Sequence, residues 1–169
     1  MTEMPRDGVT TGEVVVRAPW LNAEYLKRPD DTRVLWEGDY LHTGDVGHID
    51  AAGTLVITDR MKDVIKSGGE WVSSLELESL SSAVEGVADV AAIGIPDEKW
   101  GERPLLLIVA RDGVEEDAII DGIVAAAHAA VASGKMSKWA VPEQFRFVDE
   151  IFKTSVGKVD KKRLRAEFG

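Results

Sequence analysis

The chain has 169 residues, 44% hydrophobic and 30% charged, with a formal net charge of -10 and no cysteine. A chain of that size and composition buries a core without disulfide staples, and the absence of cysteine excludes thiol catalysis, Cys-ligated zinc and iron–sulfur clusters. The acidic excess argues against nucleic acid as a partner, since that affinity comes largely from Lys and Arg. No apolar stretch reaches the roughly 20 residues needed to cross a bilayer, and Met1 to Thr11 lacks the basic-then-apolar pattern of a secretory signal, so the expected location is cytoplasmic.

Short alternating strands come first: Glu13 to Arg17, Tyr40 to His42, Val46 to Asp50 and Thr54 to Thr58, with turns at Gly38-Asp39 and Ala52-Gly53. Between the first two, Leu21 to Arg33 suggests a short amphipathic helix ending before Pro29, because a proline pushes its predecessor out of the helical region. So few strands leave edges unpaired, so this part reads as the remnant of a barrel-like subdomain whose other strands lie elsewhere. The pattern changes near Lys62. Val64 to Lys66 and Trp71-Val72 flank Ser67-Gly68-Gly69-Glu70 as a hairpin, and Ser73-Ser74-Leu75-Glu76 is a capping box opening a helix to about Ser82. Val87 to Ile95 and Pro104 to Ala110 are apolar runs suited to buried strands. Glu115 to Ala132 follows as a helix with acidic residues at its start and Gly134 at its stop, then a strand at Gln144 to Val148 and a helix at Lys161 to Phe168. The fold class is α+β.

Several residue patterns carry chemistry, each beside a plainer reading. Asp45, in Thr43-Gly44-Asp45, is expected at a strand-end turn; alone it is an exposed turn former, but an ionised carboxylate also accepts two hydrogen bonds, which suits the vicinal hydroxyls of a ribose. Arg60, just after a strand, is either a solvated side chain or a planar fork of donors. Lys62 marks a boundary able to absorb a dihedral change. Trp71 reads equally as core or as the border of the glycine turn. Lys158, in Lys153-Thr154-Ser155-Val156-Gly157-Lys158, is a surface lysine of a basic tail or a mobile ammonium able to reach a carboxylate and a phosphate. The tail cluster Lys153, Lys158, Lys161, Lys162, Arg163 and Arg165 reads as a solvated helix face, as a phosphate-facing edge or, against the acidic balance of the chain, as a nucleic-acid patch. His42, His48 and His128 are too few and ill-spaced for a metal site.

Thr43-Gly44-Asp45, Asp59-Arg60-Met61-Lys62-Asp63-Val64-Ile65-Lys66-Ser67-Gly68-Gly69 and Gly157-Lys158, in this order and spacing, resemble the closing motifs of the adenylate-forming acyl-CoA synthetases. The likeness runs from Gly12 to Arg165, and Lys66 to Ser74 with Lys153 to Lys158 look most like fatty-acid–CoA ligases of medium or long chain. It implies residues 1–61 as the end of the large AMP-binding domain and 62–169 as the C-terminal lid, a three-stranded sheet with helices plus a β-hairpin. It further implies ATP, Mg²⁺ and coenzyme A as cofactors, with a fatty acid as substrate. Asp45 and Arg60 would hold the nucleotide, Lys62 would be the hinge, and Lys66, Gly68, Gly69 and Trp71 would border the pantetheine tunnel. Lys158 would be catalytic. Asp59 stands where many relatives have Gly, and Phe152 where they often have Pro, which is expected to loosen the approach to the Lys158 loop. No glycine-rich phosphate loop is present, so the missing N-terminal large domain is the expected partner and the isolated chain is expected to be inactive. Two alternatives are a freestanding interaction or regulatory module, dimerising through exposed β edges, and part of an adenylation domain that loads a carrier protein.

Overall fold

A computed structural model describes residues 2–169, which divide into two compact units, one ending at Lys62 and the other running from Asp63 to Gly169. In the first unit, β1 (Gly12–Val16), β2 (Leu41–Ile49) and β3 (Leu55–Arg60) form an antiparallel sheet in that order. The two segments expected around Thr43-Gly44-Asp45 are one continuous strand. Gly44 accommodates a φ of +71° inside it, a conformation that costs glycine little. Gly47 lets β2 and β3 close together, because a Cβ there would lie 2.4 Å from the Val56 carbonyl oxygen. β3 is an edge strand on which Leu55, Val56 and Ile57 are all exposed, so apolar side chains stand on both its faces.

The expected helix over 21–33 is corrected: α1 spans Pro29–Leu35 and starts at the proline instead of ending before it. Proline's fixed φ suits the first turn, where no intrahelical partner is needed for its missing N–H. A 3₁₀ turn at Glu37–Asp39 then leads into β2.

In the second unit, β4 (Ile65–Ser67) and β5 (Glu70–Val72) make the hairpin, α2 spans Ser74–Ser82, and β6 (Val87–Asp97) and β7 (Gly101–Ala110) pair along their whole length. α3 (Glu116–Ala132) carries the chain back so that β8 (Gln144–Phe147) runs parallel to β7, and α4 (Lys161–Phe168) follows. The hairpin joins this sheet through one pair, Ser67 opposite Gly101. The N-cap half of the capping box forms as expected, with Ser73 Oγ accepting from the Glu76 amide at 3.1 Å. α3 stops in a Schellman arrangement: the Lys135 amide donates to the Ala130 carbonyl at 3.0 Å, the Gly134 amide to Val131, and Gly134 has a φ of +73°.

The apolar runs of β6 and β7 are continuous because both sheet faces are covered. Val90, Ala92, Leu106 and Ile108 pack with Leu77 of α2 and Ile119 and Ile123 of α3. The alternate residues Ala91, Ile93, Leu105 and Leu107 pack with Ile151 and with Leu164 of α4. Among the described residues, no helix is long and apolar enough to cross a membrane.

Candidate functional site

In the first unit, Asp45 and Arg60 are register partners across β2 and β3. Arg60 Nε lies 2.7 Å from Asp45 Oδ1. Asp45 thus sits within a strand, not at a strand-end turn, and Arg60 is the last residue of β3 instead of following it. The Asp45 amide donates to Thr43 Oγ1 at 3.0 Å, while that hydroxyl donates to the Val14 carbonyl at 2.7 Å, so Thr43 ties the motif to β1. The Met61 amide donates to the Gly44 carbonyl at 2.8 Å and closes the end of the ladder. Asp59 is buried and accepts from the Arg60 amide at 2.6 Å. One residue before the motif, His42 Nδ1 meets Glu13 Oε2 at 2.8 Å and Nε2 meets the Glu37 carbonyl at 3.0 Å. The hydrogen bond to Glu13 raises the His42 pKa above its ordinary value of 6.5.

In the second unit, the glycine hairpin turns on Gly68 (φ +60°) and Gly69 (φ +83°). Lys66 and Trp71 face each other across it, and both are exposed, as is Gly69. Trp71 is therefore not a core residue. The hairpin is held by neighbours that sequence reasoning did not find: the Lys66 amide donates to Glu102 Oε2 at 2.8 Å, the Gly68 amide to the Trp100 carbonyl at 3.0 Å, and Ser137 Oγ to Glu70 Oε2 at 2.5 Å. Trp139 packs over Gly68. The sequence signal was the dense run Ser137-Lys138-Trp139 between the Gly134 stop and Pro142.

Lys158 lies exposed on a narrow loop. The bridge between Lys153 and Val159 and a 2.7 Å bond from the Thr154 amide to the Lys158 carbonyl close its stem, and Gly157, at φ +79°, makes the bend. Phe152 stacks on Phe168 at 6.4 Å, and the Arg163 guanidinium lies 3.7 Å from its ring centroid.

Part of the basic tail is corrected: Lys153, Lys161 and Arg165 each pair with a separate carboxylate and do not face a phosphate together. Lys161 is buried, with Nζ 2.8 Å from Glu78 Oε1 and donating to Ser74 Oγ at 2.5 Å. Lys153 pairs with Asp89, and Arg165 with Asp63, both at 2.8 Å. Lys158 and Lys162 remain exposed.

Residues 76–158 match the family described as AMP-binding enzyme C-terminal domain. The chain is 41% identical to the 3-methylmercaptopropionyl-CoA ligase of Ruegeria lacuscaerulensis and 39% identical to the medium-chain-fatty-acid–CoA ligase of Ectopseudomonas oleovorans, in each case over 98% of this chain and 29% of the relative. Its fold superposes on the amide bond synthetase McbA of Marinactinospora thermotolerans with a TM-score of 0.80 at 32% identity, covering 99% of this chain and 33% of that one. The chain carries a C-terminal domain of the AMP-binding enzyme family. Within that class it corresponds to the C-terminal portion of the acyl-CoA ligases, spanning about three-tenths of the length of the curated relatives it matches.

Proposed function

We propose that this chain serves as the lid end of an ATP-dependent fatty-acid–CoA ligase. A fatty carboxylate oxygen attacks the α-phosphorus of ATP, pyrophosphate leaves, and the acyl-adenylate is attacked by the CoA thiol to give acyl-CoA and AMP. The large domain and its acyl pocket lie outside this chain, so residues 1–61 are the end of that domain and 62–169 the lid. The isolated chain is inactive on this reading.

The observation that supports it most is the Asp45–Arg60 pair, a carboxylate fixed by a guanidinium at 2.7 Å. Asp45 retains acceptor sites for ribose hydroxyls, and Arg60 retains donors for the phosphate end of the nucleotide. Lys158, on its narrow loop, offsets charge as the carboxylate attacks phosphorus. Lys62, at the edge between the two units, is the hinge that exchanges the Lys158 face for the hairpin face. Lys66, Gly69 and Trp71 then border the pantetheine path, where the missing side chain of Gly69 gives clearance. Among the described residues no group of three or more His, Asp or Glu side chains is placed to hold a metal ion. Mg²⁺ would arrive with the ATP phosphates and shield their charge.

The test joins this chain to the large portion of the Ectopseudomonas oleovorans relative in place of its own matching segment. ATP–pyrophosphate exchange with a medium-chain fatty acid reads adenylation, and thioester release from preformed acyl-adenylate reads the second step. Lys158→Ala is expected to slow adenylation by about 10²- to 10³-fold, the scale of removing one charge-stabilising donor. Thioester release should stay within about threefold, since the hinge then presents the other face. Equal adenylation by the variant, or acyl-CoA formation by the chain alone, would refute the assignment.

The exposed Leu55-Val56-Ile57 edge favours a second reading, a freestanding module that dimerises there. Sedimentation at rising concentration, beside the mass of the native product in its source cells, separates the two. A monomer, or a native product much larger than 18.4 kDa, removes the second reading. Replacing CoA by a carrier protein in the chimera tests whether the acceptor is a carrier instead.

A further inference from the structure

The two glycines of the hairpin turn are not equivalent. A Cβ at Gly69 would meet no described heavy atom within 4 Å, whereas one at Gly68 would lie 2.4 Å from Trp139 Cε2 and 2.6 Å from Cδ2. The space vacated at Gly68 is therefore already filled by the indole, and only Gly69 leaves room for a ligand. We propose that Trp139 is a positioning residue, clamping Gly68 so that the turn keeps Gly69 open for the thioester step. This rests on the reading of the hairpin as the CoA-facing loop.

The hairpin needs such a clamp. Its strands are three residues each and reach the main sheet through the single pair Ser67–Gly101, and a short two-stranded hairpin is marginal alone. Trp139 is itself firmly seated. Its ring meets that of Trp100 at 4.4 Å between centroids, with an interplanar angle of 53°. The buried Arg103, paired with Glu143 at 2.8 Å, donates from Nη1 to the Trp139 carbonyl at 3.4 Å and from Nη2 to the Val141 carbonyl at 3.4 Å. Trp100 also supplies the carbonyl that accepts from the Gly68 amide, so the ring pair and the backbone bond hold the same turn from two sides. The Ser137–Glu70 bond fixes the far strand to the same 3₁₀ turn, Lys138–Ala140. Removing the indole leaves a void under Gly68 and frees the turn without touching the Lys158 loop.

The chain itself gives the first arm of the test. In Trp139→Ala the Gly68 amide should exchange with solvent about tenfold faster than in the wild type, while the amides of Ile93 and Leu107 in the central strands hold their rates. Trp139→Phe, which retains an aromatic ring, should recover part of the protection and covers the case in which the alanine variant fails to fold. The chimera gives the second arm: the ratio of thioester release to adenylation is expected to fall about tenfold in Trp139→Ala and to recover partly in Trp139→Phe, since small misplacements of a positioning group cost rate steeply. Unchanged Gly68 exchange, or equal loss in both half-reactions, overturns the clamp. A wild-type chimera that makes acyl-adenylate but no thioester removes instead the CoA-facing reading of the hairpin, and the exchange arm then decides the clamp by itself.

Discussion

Replacing Lys161 by methionine tests whether a charge assigned by sequence to a solvated or phosphate-facing edge is in fact an internal tie. Its side chain is 8% exposed, and its partner Glu78 is 15% exposed. Glu78 Oε1 accepts from Lys161 Nζ at 2.8 Å and from the Ala92 amide at 2.9 Å, so α4, α2 and β6 meet at one carboxylate oxygen. Breaking a buried pair by removing one partner costs about 3–5 kcal/mol, because the other charge is left in a poor dielectric. Glu78 retains the Ala92 amide and a little solvent, and methionine preserves most of the lysine stem, which places the expected loss at the lower end, about 3 kcal/mol. For a unit of roughly 100 residues that lowers Tm by about 12 °C or more. Exchange of the Ile93 and Leu107 amides follows the opening of the second unit separately from the first. The double variant Lys161→Met with Glu78→Leu should recover most of the loss, falling short by about 1 kcal/mol for the Ala92 bond. A single variant within about 0.5 kcal/mol of wild type, the behaviour of a surface lysine, would refute the reasoning.

Other expectations concern the first unit and the hairpin. His42 has a raised pKa chiefly through its hydrogen bond to Glu13, so its contribution is fully present below the unfolded value of about 6.5 and fades as pH rises through the folded value; denaturant melts of His42→Gln should lose that alkaline limb, and an unchanged pH profile would count against the pair. Gly47→Ala drives a Cβ into the Val56 carbonyl, with an expected cost of about 1–3 kcal/mol read by exchange of the β2 and β3 amides. Ser67 is fully buried and its hydroxyl has no hydrogen-bond partner among the described residues, so Ser67→Ala should be neutral or stabilising in a thermal melt; a loss of more than about 1 kcal/mol would mean the hydroxyl is satisfied.

Local signals were legible. The cap at Ser73 and the Gly134 stop rest on bonds between residues close in sequence, and the two hairpin strands pair across a two-residue turn, so their residue types announced them. β6 and β7 were legible as buried strands because both faces are covered, but which side chains meet which helix depends on the period-2 split between the two clusters. Pro29 was misread as a helix end because proline serves a first turn as well as it breaks an interior. The Thr-Gly-Asp pattern predicts a strand end at Asp45 and does not reveal that Gly44 bends without interrupting the ladder. The partners of Lys161 and Arg165 lie far away along the chain, at Glu78 and Asp63, and no spacing rule pairs them. For the same reason Trp139 was not linked to Gly68, although the glycine itself was singled out.

The placement of Leu164 bears on how the protein is made. α4 follows every strand it covers, yet Leu164 is fully buried against Ala91, Ile93, Leu105 and Leu107. During synthesis from the N-terminus, one face of the β6–β7 pair has only Ile151 and its neighbours over it until α4 has left the ribosome, while α2 and α3 already shield the other. The nascent chain therefore passes through a half-covered sheet whose apolar side is open to chaperones or to neighbouring chains. Ribosome pausing just before Lys161 would lengthen that exposure, and aggregation in the cell would then follow translation speed more than the stability of the finished fold.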